Sequence, residues 1–253
     1  MGWVRWTLLP CALLIAMRSW AAPVELESPE TRATLLELYT SEGCSSCPPA
    51  DRWLSGLRDD PRLWRELVPV AFHVDYWDYI GWSDRFARAA HSQRQRSYAS
   101  SGRVGSVYTP GFVVDGREWR GWFRGRKPQI GNGMLAGVLG LEVDGERIAA
   151  RFDPQGEARD AGQLELHVAR LGFGLTTEVG AGENAGRALR HDFVVLDYRR
   201  MPLAAGDGLL TAGFTLPKTE SGAERHAVAA WVTPRGDQAV LQAVGGWLPP
   251  PGS

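Results

Sequence analysis

The pair Cys44 and Cys47 constrains this chain more than any other feature of its sequence. An apolar run, residues 33–40, precedes the pair, and two prolines follow it directly. This pattern predicts a buried strand, a short turn and a helix with Ser46 or Cys47 as its N-cap, because proline is favoured in the first helical turn. A helix N-terminus carries partial positive charge, which favours the reactive thiolate form of cysteine. The spacing therefore predicts thiol–disulfide exchange chemistry.

The first 22 residues have the pattern of a secretory signal peptide. Arg5 supplies a basic start, residues 8–17 form an apolar centre, and residues 19–21 place small side chains at a cleavage site. A lipid anchor on Cys11 stays open as a weaker interpretation, because the residues before it only loosely resemble a lipobox. We expect a periplasmic or secreted protein without stable membrane insertion. Its remaining two cysteines are then in an oxidising compartment.

Residues 23–139 alternate between strand and helix patterns. Residues 67–74 predict a strand parallel to the first, which gives a β-α-β unit around the cysteines. Residues 85–100 predict an exposed helix capped by Ser83 and Asp84. Residues 107–116 predict a third strand that ends in an Asp-Gly turn. An α/β domain is therefore expected over residues 23–139.

The pattern changes at about residue 140. Short runs with a period of two follow one another, and clusters of Gly, Pro and Asp separate them. Such spacing is typical of an antiparallel sandwich. We therefore expect a signal peptide over 1–22, the α/β domain over 23–139 and a C-terminal β-rich domain over 140–253. The runs cover residues 141–150, 163–171, 188–198, 209–216, 227–232 and 239–247.

Four motifs stand out along the chain: ELYTSEGCSSCPPAD at 37–51, HVDYWD at 73–78 with Gly81-Trp82, Tyr108-Thr109-Pro110, and GENAGR at 182–187 with Leu189 and His191. Together they resemble the secreted family of unknown function called DUF1223. The resemblance implies an α/β thioredoxin-like domain followed by a mainly antiparallel β-sandwich-like domain, an exported protein and an undefined activity. It also implies a cis Thr109–Pro110 bond with Pro110 facing the disulfide, as in thioredoxin-like proteins.

Residues near the predicted carboxyl end of the second strand are candidates for contact with a substrate. Asp75 follows that strand directly, where α/β sheets place ligand-binding groups. Tyr76, Trp77 and Trp82 form an aromatic loop that either packs on the domain or forms the lip of a substrate groove. The backbone of Thr109 is a candidate for pairing with an extended client.

Three further features have more than one interpretation. Glu37 interrupts an apolar strand, and we favour a solvent-facing side chain at a sheet edge over a buried acid that relays protons to Cys47. His73 fits a hydrogen-bonded core residue better than a ligand. Residues 182–187 predict a hairpin turn, because they lack the strand-to-helix context of a phosphate-binding loop.

The residues favour an exported thiol–disulfide oxidoreductase whose client is a protein or a small-molecule thiol or disulfide. Cys44 attacks, because it lies on an exposed turn and resembling proteins use the first cysteine, and Cys47 resolves the mixed disulfide. The prolines leave the reverse assignment open, since the helix dipole favours a Cys47 thiolate. The alternative is a non-catalytic module that binds Cu(I) through both thiolates, or a protein, on a thioredoxin-like scaffold. No cofactor or dedicated metal site is expected, and a net charge of −1 argues against nucleic acid.

Overall fold

The computed structural model describes residues 22–206, 208–217 and 221–250. Nearly all of the predicted signal peptide, including Cys11, lies outside the described residues. The described chain forms two α-helices, α1 (Pro48–Ser55) and α2 (Ala89–Ser100). Its strands are β1 (Val24–Glu27), β2 (Thr34–Thr40), β3 (Leu67–His73), β4 (Gly111–Val114), β5 (Arg117–Glu118), β6 (Gly137–Asp144), β7 (Arg147–Pro154), β8 (Leu164–Phe173), β9 (Leu175–Glu178), β10 (Ala188–His191), β11 (Val194–Pro202), β12 (Ala204–Gly206), β13 (Leu209–Thr215), β14 (Arg225–Pro234) and β15 (Gln242–Trp247).

An eight-stranded mixed sheet forms the centre of the molecule, in the order β15-β14-β8-β11-β3-β2-β4-β5. The predicted parallel pairing of the first two long strands is confirmed, since β2 runs parallel to β3 with Thr40 opposite His73. Both strands are buried along their whole length, as their continuous apolar runs predict. Strand β11 also runs parallel to β3, and the other pairs are antiparallel.

A five-stranded antiparallel sheet, in the order β1-β6-β7-β13-β12, packs against one face of the C-terminal strands of the larger sheet. Its strands alternate between buried and exposed residues, so that Ile148, Ala150 and Phe152 of β7 enter the core. Leu166 of β8 and Val228 of β14 meet them from the other sheet. The predicted division at residue 139/140 stays a prediction, and the pairings of β1 with β6 and of β3 with β11 both cross it.

Helices α1 and α2 cover opposite faces of β2 and β3. Trp53 of α1 packs edge-on against Phe112, which stands opposite Leu38 of β2. The next residue of β2, Tyr39, points to the other face of the sheet, where its ring stacks on Phe72 and contacts α2. The sheet therefore separates two interiors, and residues that alternate along β2 enter different ones.

The expectation that Glu37 faces solvent at a sheet edge is wrong. Strand β2 lies between β3 and β4, and the Glu37 residue is 0% exposed. Its carboxylate accepts bonds from Arg94 Nε (2.8 Å) and Nη2 (2.9 Å), from the Tyr98 hydroxyl (2.5 Å) and from the Tyr39 hydroxyl (2.8 Å). A buried carboxylate needs such a full set of partners, and α2 supplies most of them.

The predicted cap of the second helix is also wrong. Helix α2 begins at Ala89 with Arg88 as its N-cap, whereas the prediction placed its start at residue 85. Asp84 is buried beside β3, where its carboxylate accepts a bond from the backbone N–H of Phe86. The acidic residue that resembled a cap therefore belongs to the interior.

Candidate redox site

Cys44 and Cys47 form a disulfide in the turn between β2 and α1, with their Cα atoms 5.4 Å apart. Cys47 is the N-cap of α1, as one of the two predicted caps, and the first two helical residues are prolines. The backbone N–H groups of Ala50 and Asp51 donate to the Cys47 carbonyl. The second cysteine therefore lies at the positive end of the helix.

The expectation that Cys44 is exposed is wrong. Cys44 is 1% exposed and Cys47 is 0% exposed, while Ser45 and Ser46 carry the exposed surface of the turn. The turn packs closely under the aromatic loop, because a Cβ at Gly43 would lie 3.1 Å from Cβ of Trp77. A larger residue in place of this glycine would push the loop away from the cysteines.

The hairpin turn between β9 and β10 holds the cysteine turn from the other side, and the hairpin itself is confirmed. Asn184 is fully buried, and its Nδ2 donates to the carbonyl oxygens of Glu42 (2.8 Å) and Cys44 (3.0 Å). The backbone N–H of Ser45 donates to Oε2 of Glu183 (3.0 Å) at the surface. A segment more than 130 residues further along the chain thus fixes the backbone around Cys44.

Five ionisable side chains are buried together beneath the start of α1, and we call them the acid–histidine cluster. None of the five residues is more than 6% exposed. They come from the turn after β2, from α1, from β3 and the segment that follows it, and from β10. The cluster consists of Glu42, Asp51, His73, Asp84 and His191.

His73 and Asp84 form the strongest pair of this cluster, with Nδ1 of the imidazole 2.6 Å from Oδ2 of the carboxylate. Burial alone would raise the pKa of Asp84, but the charge and hydrogen bond of His73, with two backbone N–H donors, outweigh it and hold the pKa at about 2. Burial would conversely lower the pKa of His73, and the adjacent Asp84 raises it above its ordinary value. The pair is therefore an ionic one.

Glu42 lies between the disulfide turn and the rest of the cluster. Its Oε2 accepts a bond from Nε1 of Trp82 (2.8 Å), and its Oε1 lies 3.4 Å from Nε2 of His191. Burial would raise the pKa of Glu42, but His191, Thr177 and Trp82 outweigh both burial and the repulsion of Asp84 and lower it. Glu42 is therefore held as a carboxylate two residues before Cys44.

The predicted substrate-binding residues divide into two groups. Trp77 donates from Nε1 to the Thr109 hydroxyl (2.7 Å), so the aromatic loop reaches the segment of the Thr109–Pro110 bond. That bond is cis, as the resemblance implies, and contact of Pro110 with the disulfide stays a prediction. Asp75 instead bonds to Ser92 of α2 through its backbone N–H (3.1 Å) and through a short contact of its carboxylate.

Tyr76 resembles Asp75 in this respect, because its hydroxyl donates to Gln95 of α2 (3.0 Å). Trp82 bonds to Glu42 and so joins the aromatic loop to the acid–histidine cluster. Trp77 and Trp82 therefore lie close to the cysteine turn and Trp77 joins Thr109 to it, while Asp75 and Tyr76 fix the loop to α2. Contact of any of these residues with a substrate stays a prediction.

Sequence reasoning missed Glu42, Asp84 and His191 as members of one cluster. The signals present were the position of Glu42 two residues before Cys44, and the occurrence of His191 in a motif of the resembling family. No set of three or more His, Cys, Asp or Glu side chains among the described residues is arranged to hold a metal ion. Within the same residues, no helix has the length and apolar character needed to cross a membrane.

The comparison with family models matches residues 35–233 to the family described as a protein of unknown function, DUF1223. The chain belongs to this family. The match contains both cysteines, the whole acid–histidine cluster and Asn184, so the site lies inside the part that defines the family. No curated protein matches the chain.

Two solved structures share the fold. Protein AGR_C_4864 from Agrobacterium tumefaciens, solved by X-ray crystallography, is 24% identical with a TM-score of 0.61, over 86% of this chain and 95% of that one. HBP35 of Porphyromonas gingivalis is 18% identical with a TM-score of 0.56, over 89% of this chain and 79% of that one. At such identities the likeness concerns the fold alone.

Proposed function

We propose that this DUF1223 protein is an exported thiol–disulfide oxidoreductase on a thioredoxin-like scaffold. The observation that carries the proposal is the disulfide itself, which closes a ring between residues only three apart at the start of α1. A ring this small removes little entropy from the unfolded chain, so stability alone gives a weak reason for it. Export is supported by the signal-peptide pattern of residues 1–22.

The reaction is an exchange of one disulfide for another. A client thiolate attacks the sulfur of Cys44, the bond between the cysteines breaks, and Cys47 leaves as a thiolate with both electrons of that bond. A second client thiol, as its thiolate, then attacks the client sulfur of the mixed disulfide and releases Cys44. The client departs as a disulfide, and the protein retains two thiols. The reverse sequence starts from the dithiol form of the protein and reduces a client disulfide.

Cys44 is taken as the attacked sulfur because its Sγ lies 3.3 Å from the hydroxyl oxygen of the exposed residue Ser46, whereas Cys47 is the fully buried N-cap of α1. A nearly closed disulfide reacts only when the turn opens locally, which favours small or extended clients. Trp77 and Trp82 border the turn, Thr109 bonds to Trp77, and all three are proposed to contact such a client.

Equilibration with glutathione buffers tests the proposal directly. We expect a two-electron transition with a reduction potential above about −300 mV, since structural disulfides typically lie below that value. The Cys44→Ser and Cys47→Ser variants should show no transition, and Ser45→Ala serves as the control that keeps both sulfurs. A pair that stays oxidised across the whole glutathione range, in a folded protein, would contradict an exchange function.

A further inference from the structure

His191 differs from the other buried histidines of the described chain. His73 bonds to Asp84, His91 bonds through Nδ1 to a backbone carbonyl, and His167 has a partner on each ring nitrogen. His191 is 2% exposed, and neither of its nitrogens has a hydrogen-bond partner among the described residues. Buried polar atoms normally have hydrogen-bond partners, so the two open nitrogens of His191 call for an explanation.

The two ring nitrogens of His191 point at different carboxyl groups. Nε2 lies 3.4 Å from Oε1 of Glu42, and Nδ1 lies 4.0 Å from Oδ2 of Asp51. Both distances are longer than a good hydrogen bond, and either one shortens with a small movement of the ring. The imidazole is therefore placed to exchange a proton with either side.

Asp51 connects this histidine to the disulfide. It lies four residues after Cys47 on α1, and its backbone N–H donates to the Cys47 carbonyl (3.1 Å). Helical residues four apart share a face, and helical side chains tilt toward the N-terminus. Asp51 therefore lies on the same face of the first turns of α1 as Cys47.

We propose that Asp51 and His191 form a proton relay for the buried thiol of Cys47. The role rests on the exchange reaction proposed above. When the disulfide is reduced, Cys47 leaves as a thiolate, and Asp51 gives it a proton. His191 then returns a proton to Asp51 and recovers one from solvent when the turn is open. On oxidation the Cys47 thiol releases its proton along the same route in reverse, while both electrons pass between sulfurs only.

The surroundings of Asp51 suit this task. Burial raises the pKa of Asp51 above its ordinary value, so the carboxyl holds a proton closer to neutral pH than a solvated aspartate does. His191 of β10, His73 of β3 and the Thr40 hydroxyl of β2 oppose that rise, and Asp84 adds to it. The pKa of Asp51 is thus determined by burial and by groups on β2, β3, β10 and the segment that follows β3.

The kinetic test follows reduction of the oxidised protein by dithiothreitol between pH 6 and pH 9. We expect Asp51→Asn to slow reduction at pH 6 about tenfold. This is less than the roughly hundredfold effect that general-acid catalysis gives at its weakest. The ratio to wild type should approach one at pH 9, where Asp51 has no proton to give. His191→Gln should give a smaller loss with the same pH trend, and Asp51→Glu should restore most of the rate.

Asp115→Asn is the matched control. Asp115 is a largely buried carboxyl with a pKa raised by burial to about 6, and it bonds to the backbone N–H of Leu35 away from the disulfide. An equal loss in this variant, or an unchanged rate at pH 6 in Asp51→Asn, would overturn the relay.

A second measurement needs no client. In the Cys44→Ser background, the thiolate absorbance of Cys47 should titrate in a broadened curve, because it is coupled to Asp51 by about one pKa unit. Adding Asp51→Asn should give a single step at lower pH, since the neutral amide removes a repelling charge. A wild-type disulfide that resists reduction would defeat the exchange function, while an Asp51-independent titration would defeat the relay alone.

Discussion

Two buried ionic clusters lie on opposite faces of β2 and β3, and they differ in how fully their polar atoms are bonded. We call the one against α2 the sheet-centre cluster, which consists of Glu37, Tyr39, Arg94 and Tyr98. Both oxygens of its carboxylate accept bonds, and the Arg94 guanidinium also lies over four aromatic rings. In the acid–histidine cluster, Oε1 of Glu42, Nε2 of His73 and both nitrogens of His191 have no hydrogen-bond partner among the described residues.

The difference separates two uses of a buried charge. A charge with a complete set of partners is held in one protonation state and one geometry, which serves the fold. A cluster with open positions can accept, release or pass on a proton, and such clusters are common at reactive sites. Only the second cluster adjoins the disulfide. The comparison therefore predicts that damage to the first changes stability alone, whereas damage to the second also changes sulfur chemistry.

The largest expected effect belongs to the sheet-centre cluster. Arg94→Met should lower the free energy of unfolding by about 3–5 kcal/mol, because it leaves the Glu37 carboxylate buried without its cation. Urea unfolding followed by tryptophan fluorescence measures the loss. The double variant Glu37→Gln, Arg94→Met should recover a large part of it, since the uncompensated charge is gone.

Arg96→Met is the control for this experiment, because Arg96 is exposed on the same helix and its loss should cost under about 0.5 kcal/mol. The reduction potential of the cysteine pair should be the same in both variants. A large change of potential with Arg94→Met would break the separation between the two clusters.

A pH experiment examines the His73–Asp84 pair. The pKa of Asp84 in the folded protein, about 2, lies below its unfolded value, so the stability it contributes is present above about pH 4 and is lost between about pH 4 and pH 2. The raised pKa of His73 acts oppositely, with stability present below about pH 6.5 and lost as the pH rises through the folded value.

The Asp84 contribution should amount to roughly 2 kcal/mol at pH 5. The difference in unfolding free energy between wild type and Asp84→Asn should therefore shrink as the pH falls from 4 to 2. Asp160→Asn, at an exposed position, gives the baseline for removal of one carboxylate. A difference that stays constant with pH would mean that the pair is not ionic in the folded protein.

The strands near the cysteines were predictable because their signals are local. The continuous apolar runs of β2 and β3 specify buried parallel strands, and two prolines after Cys47 specify the helix start. The place of Glu37 was not predictable by the same reasoning. Its partner Arg94 is 57 residues away, and nothing near Glu37 in the chain indicates a cation on that face.

The candidate site shows the same limit. The spacing of Cys44 and Cys47 identifies them as a candidate site in the sequence. His191 and Asn184 come close to them only because β11 pairs with β3 and because β9 and β10 form a hairpin. Asp84 resembled a helix cap because a short polar residue before a helix has that meaning in most sequences. Its burial depends on His73, which only the folded chain brings to 2.6 Å.

Asn184 gives the smallest expected effect. Its side chain contacts Glu42 of the acid–histidine cluster and Cys44 of the disulfide, so its replacement tests whether a residue stabilises the fold or controls access to the disulfide. Asn184→Ala removes the donor that serves the carbonyl oxygens of Glu42 and Cys44, both inside the closed turn. Each such bond contributes about 1 kcal/mol, so the global stability loss should be about 1–2 kcal/mol. Since reduction requires the turn to open, easing that opening by about 1 kcal/mol should raise the rate of dithiothreitol reduction roughly fivefold.

Glu183→Gln is the matched control for this variant, because it keeps an acceptor for the Ser45 N–H at the exposed rim of the same turn. It should leave the reduction rate within about twofold of wild type, since exposed polar contacts contribute little to local stability. If Asn184→Ala loses stability without faster reduction, the turn does not control access to Cys44. Asn184 would then resemble Arg94 as a residue that stabilises the fold. Solvent and client would then need a different route to the unbonded polar atoms of the acid–histidine cluster.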